Sequence, residues 1–258
     1  MVKELDPRRQ RLKEEFTKAR GYWSELWEAV LEMTPEFFEA YVNFSAVPWR
    51  NGVLSAKVKE FVYIAIDAST THLYEPGLKL HIDNAIRHGA SQEEILEVIQ
   101  LTCVLGIDTA LLGVPVLLDE LKCVGRDTAV TTKPLTERQE ALKRELEEQR
   151  GYWSNVWDDI LQLDPDFFEA SLRFSSVPWK LGVLEPKIRE LIYIAINAST
   201  THLYEPGLRL HIRNAIKYGA TIAEIMEVYE LTSVLGIHAV TMGVPCVIKA
   251  FVKAKGNN

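Results

Sequence analysis

The chain has 258 residues, enough for two apolar cores, and its 47% apolar and 25% charged content is ordinary for a globular protein. A formal charge of −7 argues against a broad nucleic-acid surface. The opening MVKELDPRRQ has no apolar run of the secretory kind, and three cysteines without a CxxC pair suit reduced thiols in a cytoplasmic protein.

In chain order, Asp6-Pro7 and Thr34-Pro35 read as helix starts, an N-cap followed by proline at the first helical position. The segment KVKEFVYIAIDASTTH predicts one helix ending near His72, although YIAIDA alone looks strand-like. The turn LYEPG follows, and GLKLHIDNAIRHG predicts a second, antiparallel helix carrying His81, with Gly89 as its left-handed stop. Ser91 and Glu94 form a capping box for the next helix. The apolar run LTCVLGIDTALLGVPVLL is broken by Asp108 and Pro115, so a buried helical hairpin is expected and no membrane span. A polar stretch, GRDTAVTTKPLTERQ, then reads as a linker.

Beyond it the whole pattern returns at a fixed offset. Gly21-Tyr22-Trp23 aligns with Gly151-Tyr152-Trp153, Val47-Pro48-Trp49 with Val177-Pro178-Trp179, and STTHLYEPG recurs unchanged ahead of His211. Asp164-Pro165, Gly219 and the Thr221/Glu224 capping box repeat the helix signals. These are two domain-sized copies, 1–130 and 131–258, and the class is all-α.

On the second helix of the pair, Gly77, His81 and Asn84 fall on one face. The helix–turn–helix brings Glu60 beside His81, and Glu190 beside His211 with Asn214. The order Glu60, Pro76, His81, Ala85, Gly89, Glu94, Glu97, Gly106, repeated from Glu190 to Gly236, resembles the carboxymuconolactone decarboxylase family, within the alkyl hydroperoxidase D-like superfamily. The resemblance covers about half of each copy and implies two tandem helical domains of that fold. Peroxidase relatives carry cysteines four and seven residues before the histidine. Here those positions are Gly77 and Tyr74, and Gly207 and Tyr204, so thiol peroxidase chemistry is not expected.

The thiol-free branch implies a cofactor-independent lyase that removes CO₂ from a small organic acid, with His81/Glu60 and His211/Glu190 as acid–base pairs. Lys59 and Arg189, or Arg50 and Lys180, are candidates to hold the substrate carboxylate. His72, Tyr74, Asn84, His202, Tyr204 and Asn214 complete the candidate substrate-binding set. The alternative is a non-catalytic protein whose histidine pocket binds a ligand or supports assembly.

Simpler readings compete at single positions. His72 and His202 suit caps at a helix C-terminus; Trp49 and Trp179 suit packing anchors. Glu94, Glu97, Glu224 and Glu227 suit caps and solvent-facing positions. His72 and His81 lack the i, i+4 spacing of a helical metal pair, so no metal is expected. The resemblance implies a homo-oligomer, most simply a trimer imitating a six-copy ring. Asp67, Asp83, His88 and Asp108 become Asn197, Arg213, Tyr218 and His238, so negative charge is expected to concentrate around His81. The same drift leads an anionic ligand to be expected at the first pocket, unless Arg213 reaches the second.

Overall fold

The computed structural model describes residues 6–126 and 133–256. The boundary placed near residue 130 lies outside the described residues. The first copy contributes α1 (Pro7–Arg20), α2 (Glu28–Met33), α3 (Pro35–Ser45), α4 (Val47–Asn51), α5 (Ala56–Ala68), α6 (Glu75–Arg87), α7 (Gln92–Cys103) and α8 (Asp108–Cys123). The second repeats them as α9 (Glu137–Arg150), α10 (Asp158–Leu163), α11 (Pro165–Ser175), α12 (Val177–Leu181), α13 (Pro186–Ala198), α14 (Glu205–Lys217), α15 (Ile222–Ser233) and α16 (Ile237–Gly256). Among the described residues there is no strand.

The helix boundaries follow local chemistry. Asp6 accepts from Arg8 N and Arg9 N at 3.0 Å, Pro7 opens α1, and Gly21 closes it at φ 76°. Ser91 and Thr221 complete their capping boxes with Glu94 and Glu224. Helix α5 is buried on all sides from Val58 to Asp67, and α13 from Arg189 to Asn197. A helix that is apolar all round belongs in a core, which is why YIAIDA is helical and not a strand. The two central helices pack on each other, and their residues mix in both central clusters.

The copies are not two separately packed domains. Helix α8 crosses to the second copy and packs on α10, where Leu111 and Val114 join Leu142, Leu146 and Phe168. Helix α16 crosses the other way to α2, bringing Ile237, Val240 and Val244 to Phe16 and Trp27. The expected buried hairpin is therefore corrected. A 3₁₀ turn, Val104–Ile107, redirects the chain, and α8 leaves Leu112 and Val116 exposed at 62% and 55%. Residues Gln92–Cys123 and Ile222–Lys255 are each long and apolar enough to cross a membrane by length and composition alone. Both are broken by a 3₁₀ turn and contribute to the shared cores.

A second correction concerns Glu97 and Glu227, which are 2% exposed and do not face solvent. Glu97 accepts from Val183 N, Leu184 N and Arg189 Nε at 2.5, 2.8 and 2.5 Å. Glu227 accepts from Val53 N and Leu54 N at 2.6 and 2.8 Å and pairs with Lys59 at 3.0 Å. Each carboxylate thus clasps the other copy. A Cβ on Gly182 would lie 2.3 Å from Glu97 Oε1, so this close approach requires glycine.

Candidate active site

Glu60 lies on α5 and His81 on the antiparallel α6. The helix stops at Ala68, four residues short of the expected His72, because Ser69 turns to ψ 135° and Tyr74 N bonds back to Asp67 O. Leu73 holds φ 51° at the tip, and Leu203 matches it at 50°, so the turn is kept in a conformation few leucines adopt. His72 and His202 consequently sit in the turn, not at a helix end. A Cβ on Gly77 would fall 2.2 Å from Asp67 Oδ2, so the glycine makes room for that carboxylate as well as for the cavity.

The pairing expected from the sequence is present twice. Glu60 Oε2 lies 2.6 Å from His81 Nδ1, and Glu190 Oε2 lies 2.6 Å from His211 Nδ1. Tyr63 and Tyr193 stack on the two imidazoles at 4.4 Å. A carboxylate at Nδ1 favours the proton there and leaves Nε2 as the basic edge of the neutral ring. Asn214 donates to Glu190 Oε1 at 3.3 Å, whereas Asn84 accepts from Arg87 instead.

Each cavity is closed by the last helix of the other copy. His81, Tyr63 and Tyr74 face His238 and Thr241 of α16 and Leu235 of the 3₁₀ turn before it. His211, Tyr193 and Tyr204 face Leu105, Asp108 and Leu111 from the first copy. His72 Nε2 meets His238 Nδ1 at 2.8 Å, and His202 Nε2 donates to or pairs with Asp108 Oδ2 at 2.9 Å. This replaces the capping role for both histidines. It also corrects the expected charge drift: Asp108 serves the pocket of His211, and His238 that of His81. The cavities differ in size, about 30 Å³ beside His81 and about 90 Å³ beside His211. The His238 ring, stacked on Tyr74 at 3.8 Å, fills space that the shorter Asp108 leaves open.

Lys59 and Arg189 are not among the pocket-lining residues. Lys59 is held by Pro48 O and Glu227, and Arg189 by Glu97. Arg50 and Lys180 are exposed on the surface. The cations that line the cavities are Arg20 and Arg150. Arg20 is 6% exposed, donates to Tyr63 Oη at 3.2 Å and leaves Nε without a partner. Arg150 donates to Ser175 O at 2.9 Å. Trp49 and Trp179 lie beneath these guanidinium groups at 5.2 and 4.6 Å, so they are anchors for the cations as well as for packing. The signal was present in the sequence, since both arginines immediately precede the repeated GYW.

Burial sets the remaining electrostatics. It pushes the Asp67 carboxyl up to about 7 against the pull of His81, and lowers His238 to about 3 with help from His72 and His81. Asp108 is raised by burial against the pull of His202, and Tyr152 is raised by burial to about 12. Neither cavity is lined by a thiol: Cys103, Cys123 and Cys246 are free and exposed. Asp67, His72 and His238 bring three potential metal-ligand atoms within 4.8 Å of one another.

The structure is thus a doubled helical fold with a His–Glu pair and an arginine at each of two thiol-free cavities. The profile of the Carboxymuconolactone decarboxylase family matches residues 35–114 and 165–242. The chain belongs to this family. It is 46% identical to a Burkholderia xenovorans LB400 protein whose crystal structure is described as that of a candidate gamma-carboxymuconolactone decarboxylase subunit. That likeness covers 97% of this chain and 100% of the other, with a TM-score of 0.91. No curated protein sequence matches the chain.

Proposed function

We propose that the chain is a carboxy-lyase acting on a small organic acid, with His211/Glu190 and His81/Glu60 moving the proton. The observation that carries this reading is the 2.6 Å His–Glu bond, made twice beside a cavity that an arginine also lines, Arg20 buried and Arg150 half-buried. Arg20 and Arg150 are suited to a carboxylate, because a guanidinium offers several donors in one plane. The reading is also supported by the description of the Burkholderia protein.

In the reaction, the bond between the substrate carbon and its carboxylate breaks and CO₂ leaves. The electron pair stays on carbon and delocalises into a conjugated carbonyl. The imidazolium gives its Nε2 proton to that carbon, and solvent reprotonates the ring. One carboxylate and one proton therefore become product and CO₂. Glu190 and Glu60 hold their rings in one orientation and stabilise the cationic form while it exists. The larger cavity at His211 has more room for such a substrate.

The test is CO₂ release from a panel of unsaturated keto acids and lactone acids. His81→Ala and His211→Ala are each expected to remove turnover at their own site. The double variant should fall by about a hundred- to ten-thousand-fold with its fold retained. Full activity in the double variant on an identified substrate would overturn the assignment. Binding of the acids without CO₂ release would favour the ligand-binding alternative.

A further inference from the structure

We propose that Asp67, His72 and His238 form a binding site for one divalent transition-metal ion of the zinc type, in the first pocket only. The three residues come from three places: the end of α5, the turn after it, and α16 of the other copy. Their facing atoms form a compact triangle. His72 Nε2 and His238 Nδ1 are 2.8 Å apart, and Asp67 Oδ1 lies 3.9 and 3.6 Å from them. A point equidistant from the corners of this triangle lies about 2.0 Å from each, close to the distances of about 2.0–2.2 Å at which zinc binds imidazole nitrogen and carboxylate oxygen.

Asp67 supplies an independent reason to place a cation there. It is 1% exposed, and neither carboxylate oxygen has a hydrogen-bond partner among the described residues. A buried carboxylate in that state is costly, and a bound cation would remove the cost. The groups facing it are the two proposed imidazole ligands, His81, whose Nε2 is 4.0 Å from Asp67 Oδ2, and the nearby Glu60 carboxylate, whose like charge adds to the cost. Among the described residues, no lysine or arginine is paired with Asp67.

The surroundings hold the ligands in place. The ring of Tyr74 stacks on His238, and its hydroxyl bonds Thr241 Oγ1 at 2.7 Å on the same helix. Three protein ligands leave one position for water or a ligand oxygen, which suits the small space beside His81.

The second pocket provides an internal contrast. Asn197 replaces Asp67 and donates to Tyr193 O, and Asp108 replaces His238. Only one imidazole and one carboxylate remain, so one ion per chain is expected. Spacing within one copy hid the site, because its third ligand comes from the other copy.

Ion binding needs no substrate, so it stands or falls apart from the decarboxylase assay. The full chain is stripped with chelator and dialysed. It is then titrated with Zn²⁺ by calorimetry and with Co²⁺ by visible absorption, and thermal melting checks the fold of each variant. The expected result is one ion per chain, an intense low-coordinate Co²⁺ spectrum, and a Zn²⁺-dependent rise in melting temperature. Asp67→Asn installs the residue that the second copy carries. It should weaken binding by more than about a hundredfold, as should His238→Ala, whereas Asp108→Asn should leave one ion bound. No stoichiometric binding would overturn the proposal. So would binding that survives in folded Asp67→Asn and His238→Ala proteins.

Discussion

At the scale of single residues, the His–Glu pair was legible because it repeats and because helix–turn–helix geometry places Glu60 opposite His81. The basic partner was not. Lys59 is adjacent to Glu60 in sequence, but adjacent helical residues point about 100° apart, so Lys59 reaches the clasp at Glu227 and not the cavity. Arg20 and Arg150 enter from helices far upstream, and only their repeated place before GYW marked them. If Arg150 holds the substrate carboxylate, Arg150→Ala should raise KM by about tenfold or more, since a hydrogen bond to a charged group contributes about 1.5–3 kcal/mol. Arg150→Lys should recover only part of that, because an ammonium cannot reproduce the planar fork. Steady-state kinetics on a substrate found in the CO₂ screen would check both. An unchanged KM in Arg150→Ala would remove the arginine from the binding role.

At the scale of elements, helix starts and stops were readable wherever side chains cap the backbone. The Thr221/Glu224 box is an example. Burial works against the Glu224 carboxylate, but Lys187 and the Thr221 N–H outweigh it and hold its pKa below the usual value. A lowered folded pKa gives stability that is present above the ordinary glutamate range and lost as pH falls through the folded value. Glu224→Gln should therefore melt lower than the parent at neutral pH and converge with it in acid. The end of α5 was less readable, because a buried backbone bond from Tyr74 to Asp67 ends it and not a residue with a strong breaking preference. The clasp at Glu97 was not readable at all, since a glutamate three residues after a capping glutamate looks like solvent-facing helix. Glu97→Ala would strand Arg189 as a buried charge and unpair two backbone N–H groups. The expected cost is about 3–5 kcal/mol, read as a lower urea midpoint. A change below about 1 kcal/mol would show that water replaces the clasp.

At the scale of the whole molecule, the repeat revealed two equivalent copies but not which helix of one completes the pocket of the other. Equivalence at a fixed offset is the same whether α8 stays with its own copy or crosses over. Crossing has a consequence for assembly. The inner face of α8 is spent on the second copy, yet Leu112, Val116 and Leu117 on its outer side remain more than half exposed. Helix α16 does the same with Val247, Phe251 and Val252. Leu112 and Val116 are one helical turn apart, as are Val247 and Phe251, so each pair forms an outward apolar strip. A chain carrying two such strips, one per copy, can close a ring with fewer subunits than a single-copy relative needs. We expect a trimer, with a light-scattering mass three times the 29.3 kDa of the chain. Val116→Glu together with Phe251→Glu places charge on both strips and should dissociate it without changing the helical spectrum. A parent chain that stays monomeric at micromolar concentration would rule the ring out.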